Sequence, residues 1–172
     1  MAVNRYRNHL VIFLEDDPYR SILNGIKNLL NVNDNVLDVK NPSGGWGKVF
    51  EDFENNLYLL RKYSQCFIVL LMDFDDKDKK LAGSFESRKK MFIEKVPLEY
   101  KERVFLLGVN HKESENLKQF FNNTNFENIG AKLVEDCPNN SLSNWKNTHL
   151  ECNLSEIDRM HKKGIFNWLF NS

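Results

Sequence analysis

Two groups of carboxylates each stand at the end of a short apolar run. Val11-Ile12-Phe13-Leu14 leads into Glu15-Asp16-Asp17, and Phe67-Ile68-Val69-Leu70-Leu71-Met72 leads into Asp73-Phe74-Asp75-Asp76. Runs of this kind read as buried strands, and open α/β sheets do their chemistry outside the carboxyl ends of such strands. Asp73 and Asp75 are two apart, so a strand that continues through both sends their side chains to one face. Carboxylates held together repel unless a proton or a cation lies between them. Mg²⁺ suits such a site, because it takes one or two carboxylates and completes its shell with water and phosphate oxygens; Mn²⁺ is the alternative. Glu15 follows its run directly and is the candidate for moving a proton or binding a second ion, with Asp16 and Asp76 as further acids at the two ends.

Capping and solvation explain some of these acids equally well. Asp17-Pro18 opens an apolar-periodic stretch, as an N-cap followed by proline at the first helical position does. The stretch from Asp73 to Lys80 is also readable as a solvated turn in which Lys77, Lys79 and Lys80 neutralise the acids.

Two further segments bear on the same edge. Pro42-Ser43-Gly44-Gly45-Trp46-Gly47-Lys48 precedes an amphipathic stretch. A glycine pair before a helix lets backbone N–H groups approach an anion at the positive helix end, with Lys48 beside them, although a plain turn also fits. The Walker spacing and its Lys-Ser/Thr pair are absent, which excludes a P-loop ATPase. Gly108-Val109-Asn110-His111-Lys112-Glu113-Ser114-Glu115 leaves a later strand at the same edge. His111 is the one histidine placed to serve as acid, base or phosphate partner. Glu113 or Glu115 either completes a second metal shell or is a helix-start acid favoured by the macrodipole. Arg88, Lys89 and Lys90 either hold a phosphate backbone or form a solvated helix face.

The elements that must position these residues follow from periodicity. Strand-like runs lie at 10–14, 36–39, 67–72, 104–109 and, more weakly, 131–134. Between them, Tyr19, Ile22, Leu23, Ile26, Leu29 and Leu30 share one helix face, and Val49, Phe50, Phe53, Leu57 and Leu60 another. A C-terminal helix is expected with Ser155 as N-cap and Ile157, Met160, Ile165, Trp168 and Leu169 along its apolar stripe. Strands alternating with helices predict a Rossmann-like three-layer α/β sandwich around a mainly parallel sheet of four to five strands. The 172 residues fit a single domain over 1–172, with a core at about 8–134 and a C-terminal loop and helix, 135–172, packing back.

Composition narrows the partners. Twenty-four basic and twenty-four acidic side chains cancel, so no global field draws the protein onto nucleic acid. Any such binding needs a local patch or metal ions. Cys66, Cys137 and Cys152 lack metal-ligand spacing and are odd in number, which predicts reduced thiols. No apolar run approaches a membrane span, and a cytoplasmic location is expected.

A hydrophobic strand ending in Glu15, a glycine turn before a helix, and a second hydrophobic strand ending in Asp73-Phe74-Asp75 resemble the TOPRIM domain of topoisomerases, primases and overcoming-lysogenization-defect nucleases. The resemblance covers about residues 8–110, and small stand-alone members, some of them in bacterial defence loci, are similar in size. It implies Glu15 as general acid or base and Asp73 and Asp75 as ligands of Mg²⁺ or Mn²⁺. Gly44, Gly45, Lys48 and His111 would then face the substrate. The function so implied is divalent-metal-dependent phosphodiester chemistry on nucleic acid, as a nuclease or nuclease subunit. The chain departs from the pattern at Asp16 and Asp17, where the family usually has glycine soon after the glutamate. The alternative is a non-catalytic, receiver-like Mg²⁺-binding module serving a larger ATPase or signalling protein. The acidic strand ends also look like the receiver domain of two-component signalling, but no lysine closes the fifth run, Leu133-Val134-Glu135-Asp136.

Overall fold

The computed structural model describes residues 2–74 and 84–171. Four strands, β1 (His9–Leu14), β2 (Leu37–Val39), β3 (Cys66–Phe74) and β4 (Val104–Asn110), form one sheet in the order β2-β1-β3-β4. Every pairing is parallel. The helices are α1 (Asp17–Lys27), α2 (Trp46–Asn55), α3 (Tyr58–Lys62), α4 (Ser84–Lys95), α5 (Phe126–Glu135), α6 (Leu154–Lys162) and α7 (Ile165–Leu169).

Both faces of the sheet are covered, which is why its strands read as unbroken apolar runs. Leu10, Ile12, Leu14, Val69, Phe105, Leu107 and Val109 pack on one side with α1, α5, α6 and α7. Val11, Phe13, Ile68, Leu70, Met72, Phe74, Val104 and Leu106 pack on the other with α2, α3 and α4. The result is the expected three-layer α/β architecture. β3 runs two residues beyond its predicted end and so contains Asp73. Its neighbours Met72 and Phe74 point into the α2–α4 core, so the pleat turns Asp73 toward the α1 side.

Among the described residues the sheet has four strands. The weak fifth run, 131–134, belongs to α5, which Asn125 caps by accepting from the Asn128 N–H at 2.8 Å. Ile129, Leu133 and Val134 are the buried face of that helix. A methyl group on Gly130 would overlap the Ile22 carbonyl oxygen, and one on Gly25 the Glu127 carbonyl oxygen. Glycine at both positions lets the α1 and α5 backbones touch, and this close packing holds the segment in the helical layer.

Side chains take the place of a fifth strand. Along the outer edge of β4, Leu106 N–H donates to Glu156 Oε2 (3.0 Å) and Gly108 N–H to Asn153 Oδ1 (2.9 Å). In return Asn153 Nδ2 donates to the Gly108 carbonyl (2.8 Å) and Arg159 Nη2 to the Val104 carbonyl (2.6 Å). Buried backbone groups are thereby satisfied without a strand partner.

The C-terminal helix differs from expectation. Asn153, not Ser155, precedes α6, and Gly164, at φ 72°, separates α6 from α7. The predicted helix through Leu60 is likewise two, divided at Asn56 and Leu57. Among the described residues no helix is long and apolar enough to cross a membrane.

Candidate metal centre

The chain leaves β1 toward β2 on one side and reaches β3 on the other, so the crevice outside the carboxyl ends of β1 and β3 is the switch point of the sheet. Glu15 is the first residue after β1. Its N–H donates to the Leu71 carbonyl (3.0 Å), and its Oε2 accepts from the Asp73 N–H at 2.8 Å. The Glu15 carboxylate thus reaches the backbone of Asp73, and the described acids close enough to share an ion are Asp16, Asp73 and Glu115, not Glu15.

Asp16 is the next residue and the N-cap of α1, with extended backbone and its side chain accepting from the Tyr19 N–H at 3.4 Å. This corrects the expectation for Asp17, which is the first helical residue. Proline still falls in the first turn, where its missing N–H costs nothing.

Beyond β4 the backbone turns at His111, whose φ of 65° is left-handed and whose N–H donates to the Phe74 carbonyl at 3.1 Å. The turn delivers Ser114 and Glu115, at the start of a 3₁₀ segment, to Asp73. The Ser114 N–H lies 3.1 Å from both Asp73 oxygens, and Ser114 Oγ donates to Asp16 Oδ2 (3.1 Å). The Tyr19 hydroxyl donates to Asp73 Oδ1 at 2.6 Å. One oxygen from each of Asp16, Asp73 and Glu115 lies within 4.8 Å of the others.

Burial pushes the Asp73 carboxyl up to about 7; the Tyr19 hydrogen bond opposes the rise, and the charges of Asp16 and Glu15 add to it. Burial also raises Asp16, against its hydrogen bonds from Ser114 and Tyr19. Burial, and then the neighbouring Asp73 charge, lift Tyr19 well above its ordinary value, so its hydroxyl stays protonated and donates. Among the described residues no lysine or arginine forms an ion pair with Asp16, Asp73 or Glu115. Three oxygen donors with excess negative charge are what a hard divalent cation takes. The triad can hold a metal ion.

The other predicted residues fall around this centre. The Gly44 N–H donates to the Glu15 carbonyl and the Ser43 N–H to the Leu14 carbonyl, both at 2.8 Å, so the glycine turn lies against the end of β1. Gly44 and Gly45 have φ of 83° and 157°, with open space where side chains would be. Gly45 caps α2 without a side-chain bond, and Lys48 is exposed in the first turn of α2. His111 is exposed, with its ring 6.3 Å from that of His149. Glu115, not Glu113, joins the acidic triad. Asp75 and Asp76 lie outside the described residues. Arg88 departs from the solvated helix face expected for it: it is buried, with its guanidinium 3.6 Å above the Trp46 ring. Cys66, Cys137 and Cys152 are free thiols pushed up to about 12 by burial, which makes them poor nucleophiles.

No family model, no curated protein and no solved structure matches the chain.

Tyr19 and Ser114 were not legible as site residues. Tyr19 sits on the apolar face of α1 like any core residue, and only its register opposite Asp73 gives its hydroxyl a task.

Proposed function

We propose that the protein is a Mg²⁺- or Mn²⁺-dependent enzyme of the TOPRIM type that acts on phosphodiester bonds of nucleic acid, as a nuclease or a nuclease subunit, with bacterial defence as a setting. The observation that carries this is the meeting of Glu15 with Asp73, Oε2 to N–H at 2.8 Å, beside the acidic triad. When bound, the ion would stabilise charge developing on the phosphoryl oxygens. Asp73, with Asp16 and Glu115, would hold it; Asp75 is the further ligand that the resemblance implies. Glu15 would accept or deliver the proton of the attacking or leaving hydroxyl, its carboxylate oriented by the Asp73 N–H. The first-turn N–H groups of α2 lack a side-chain cap and open beside Glu15, where they would receive a substrate phosphate. Lys48 would add positive charge at the same place.

The test is cleavage of single- and double-stranded DNA and RNA with Mg²⁺ or Mn²⁺, against chelator. Divalent-dependent cleavage is expected in the wild type, with a loss of at least about a hundredfold in Glu15→Gln, the upper part of the usual range for a proton-transferring group being larger still. Cleavage by Glu15→Gln and Asp73→Asn at the wild-type rate would end this proposal.

A second reading has one observation behind it. The strand order 2-1-3-4 is the beginning of the flavodoxin-like order 2-1-3-4-5 found in signalling receivers. In that reading the acids bind Mg²⁺ without turnover and the domain serves a larger partner protein. Against phosphoryl transfer stands Asp73 itself, 6% exposed and held by Tyr19 and Ser114. Incubation with a small acyl phosphate is expected to leave Asp73 unmodified; a mass gain there, located by peptide mapping, would favour the receiver.

A further inference from the structure

His9 is the first residue of β1, at the end of the sheet opposite the acids, and it is fully buried. Its Nδ1 lies 2.8 Å from the Arg7 carbonyl oxygen. A carbonyl can only accept, so Nδ1 carries the proton, and in the neutral ring Nε2 is a bare acceptor. Among the described residues Nε2 has no hydrogen-bond partner. A second proton would therefore create a buried charge and a buried N–H without an acceptor at once.

The groups around the ring do not accommodate that charge. Asp38 on β2 bears on it from one side, but Asp38 is already held by Lys40 (2.8 Å) and Arg5 (3.6 Å), whose charges disfavour a second proton on His9. From the turn between α3 and β3 the Tyr63 ring meets His9 edge-on at 6.1 Å, with Lys62 Nζ 5.4 Å from the centre of the same ring. Cys66, level with His9 on β3, is a neutral thiol that burial pushes up to about 12, and Arg103 donates to its carbonyl. Arg7 is exposed. Burial holds His9 below its ordinary value, against the Arg7 hydrogen bond and the Asp38 charge.

The same ring holds the chain that precedes it. Residues 2–8 form neither helix nor strand. They are pinned by the His9–Arg7 bond, the Arg7 N–H to the Asn4 carbonyl (3.1 Å), the Arg5–Asp38 pair and the edge contact of Tyr6 with Tyr63 at 5.3 Å. Tyr6 is itself 75% exposed, so this strap buries little apolar surface of its own. We infer that His9 is an acid-released latch: protonation of Nε2 turns the ring out to water and frees residues 2–8, while the sheet from Leu10 onward stays formed. A released ring takes its proton at the ordinary value of 6.5 and the latched ring only at a lower one. The strap is therefore fully held above 6.5 and loses its hold as pH falls below it.

Hydrogen exchange of the whole chain, read by mass spectrometry and corrected for the intrinsic pH dependence of exchange, follows the amides before His9. Their protection is expected to stay constant from about pH 8 to 7 and to fall severalfold by about pH 5.5, one proton setting a ceiling of about tenfold per pH unit. The β1 amides from Val11 to Leu14 should keep theirs. The readout is local, so titration of the acids at the other end of the sheet does not enter it. His9→Asn, whose amide can still donate to the Arg7 carbonyl but does not titrate, should hold the strap equally at both ends of that range. Protection that ignores pH in the wild type, or that falls equally in His9→Asn, overturns the inference, and so does parallel loss across β1. Should His9→Asn not fold, NMR titration of the wild-type His9 ring decides: a midpoint below 6.5 accompanied by loss of strap protection supports the latch, and a midpoint at 6.5 or above refutes it.

Discussion

Asp73→Asn should make the metal-free protein more stable while removing its response to divalent ions. The Asp73 carboxyl is raised from 3.8 to about 7 in the folded protein, chiefly by burial. Between those values the folded state holds a proton that the unfolded state has released. Stability of the metal-free wild type therefore falls as pH rises from about 4 to about 7, and the penalty is complete above that. Three pH units correspond to roughly 4 kcal/mol, an upper figure that solvent relaxation reduces to about 2–4 kcal/mol. Asparagine carries no charge to desolvate. Its Oδ1 can accept from Tyr19 and Ser114, and its Nδ2 can donate toward Asp16. Denaturation in chelator at pH 8 should show Asp73→Asn more stable than the wild type by that amount, with the gap narrowing toward pH 4. Adding Mn²⁺ should raise the midpoint of the wild type and not that of the variant. A variant less stable than the wild type at pH 8 without metal would remove the premise that the site is held together against its own charge.

Replacing Asn153 by alanine should cost about 3 kcal/mol, or roughly 10 °C in melting temperature for a domain of this size. Asn153 is 1% exposed, and its amide satisfies both the N–H and the carbonyl of Gly108. Alanine leaves the buried Gly108 N–H without its acceptor and the Gly108 carbonyl with only the weak Cys152 Sγ contact at 3.6 Å. Asn153→Asp keeps the shape and an acceptor for the N–H but turns an oxygen toward the Gly108 carbonyl, so it should rescue little. Urea denaturation reads the difference. A loss below about 0.5 kcal/mol would mean that the β4 edge does not depend on this side chain.

These two positions also mark how far the sequence could be read. The strands that are buried on both faces were plain, because the polar residues of β1, β3 and β4, His9, Asp73 and Asn110, fall at or next to the strand ends and leave the apolar runs unbroken. That Glu15 and Asp73 end adjacent strands was legible from the acids that follow the apolar runs, but the bond from the Asp73 backbone N–H to the Glu15 carboxylate was not. The run 131–134 was ambiguous by nature, since a short apolar stretch fits a strand or one face of a helix. Asn125 carried the deciding cap signal, and Gly25 and Gly130 its packing reason, but their contact joins helices 105 residues apart in sequence. Asp16 and Asp17 are adjacent and both suit an N-cap, so local preference could not choose; Ser114, which holds the other Asp16 oxygen, does. Glu115 reaches the triad only because His111 adopts a left-handed backbone, which its residue type does not announce.

The side chains that close the β4 edge come late in the chain. The Gly108–Asn153, Leu106–Glu156 and Val104–Arg159 bonds span 45, 50 and 55 residues. During synthesis β4 is complete well before α6 emerges, and in that interval it carries an unpaired row of N–H and C=O groups flanked by apolar surface. Such an edge can recruit a strand from a neighbouring nascent chain, and the non-local contacts that cover it are slow to form. The C-terminal residues thus decide an order of events as well as a structure: docking of α6 is the step that withdraws the β4 edge from other strands.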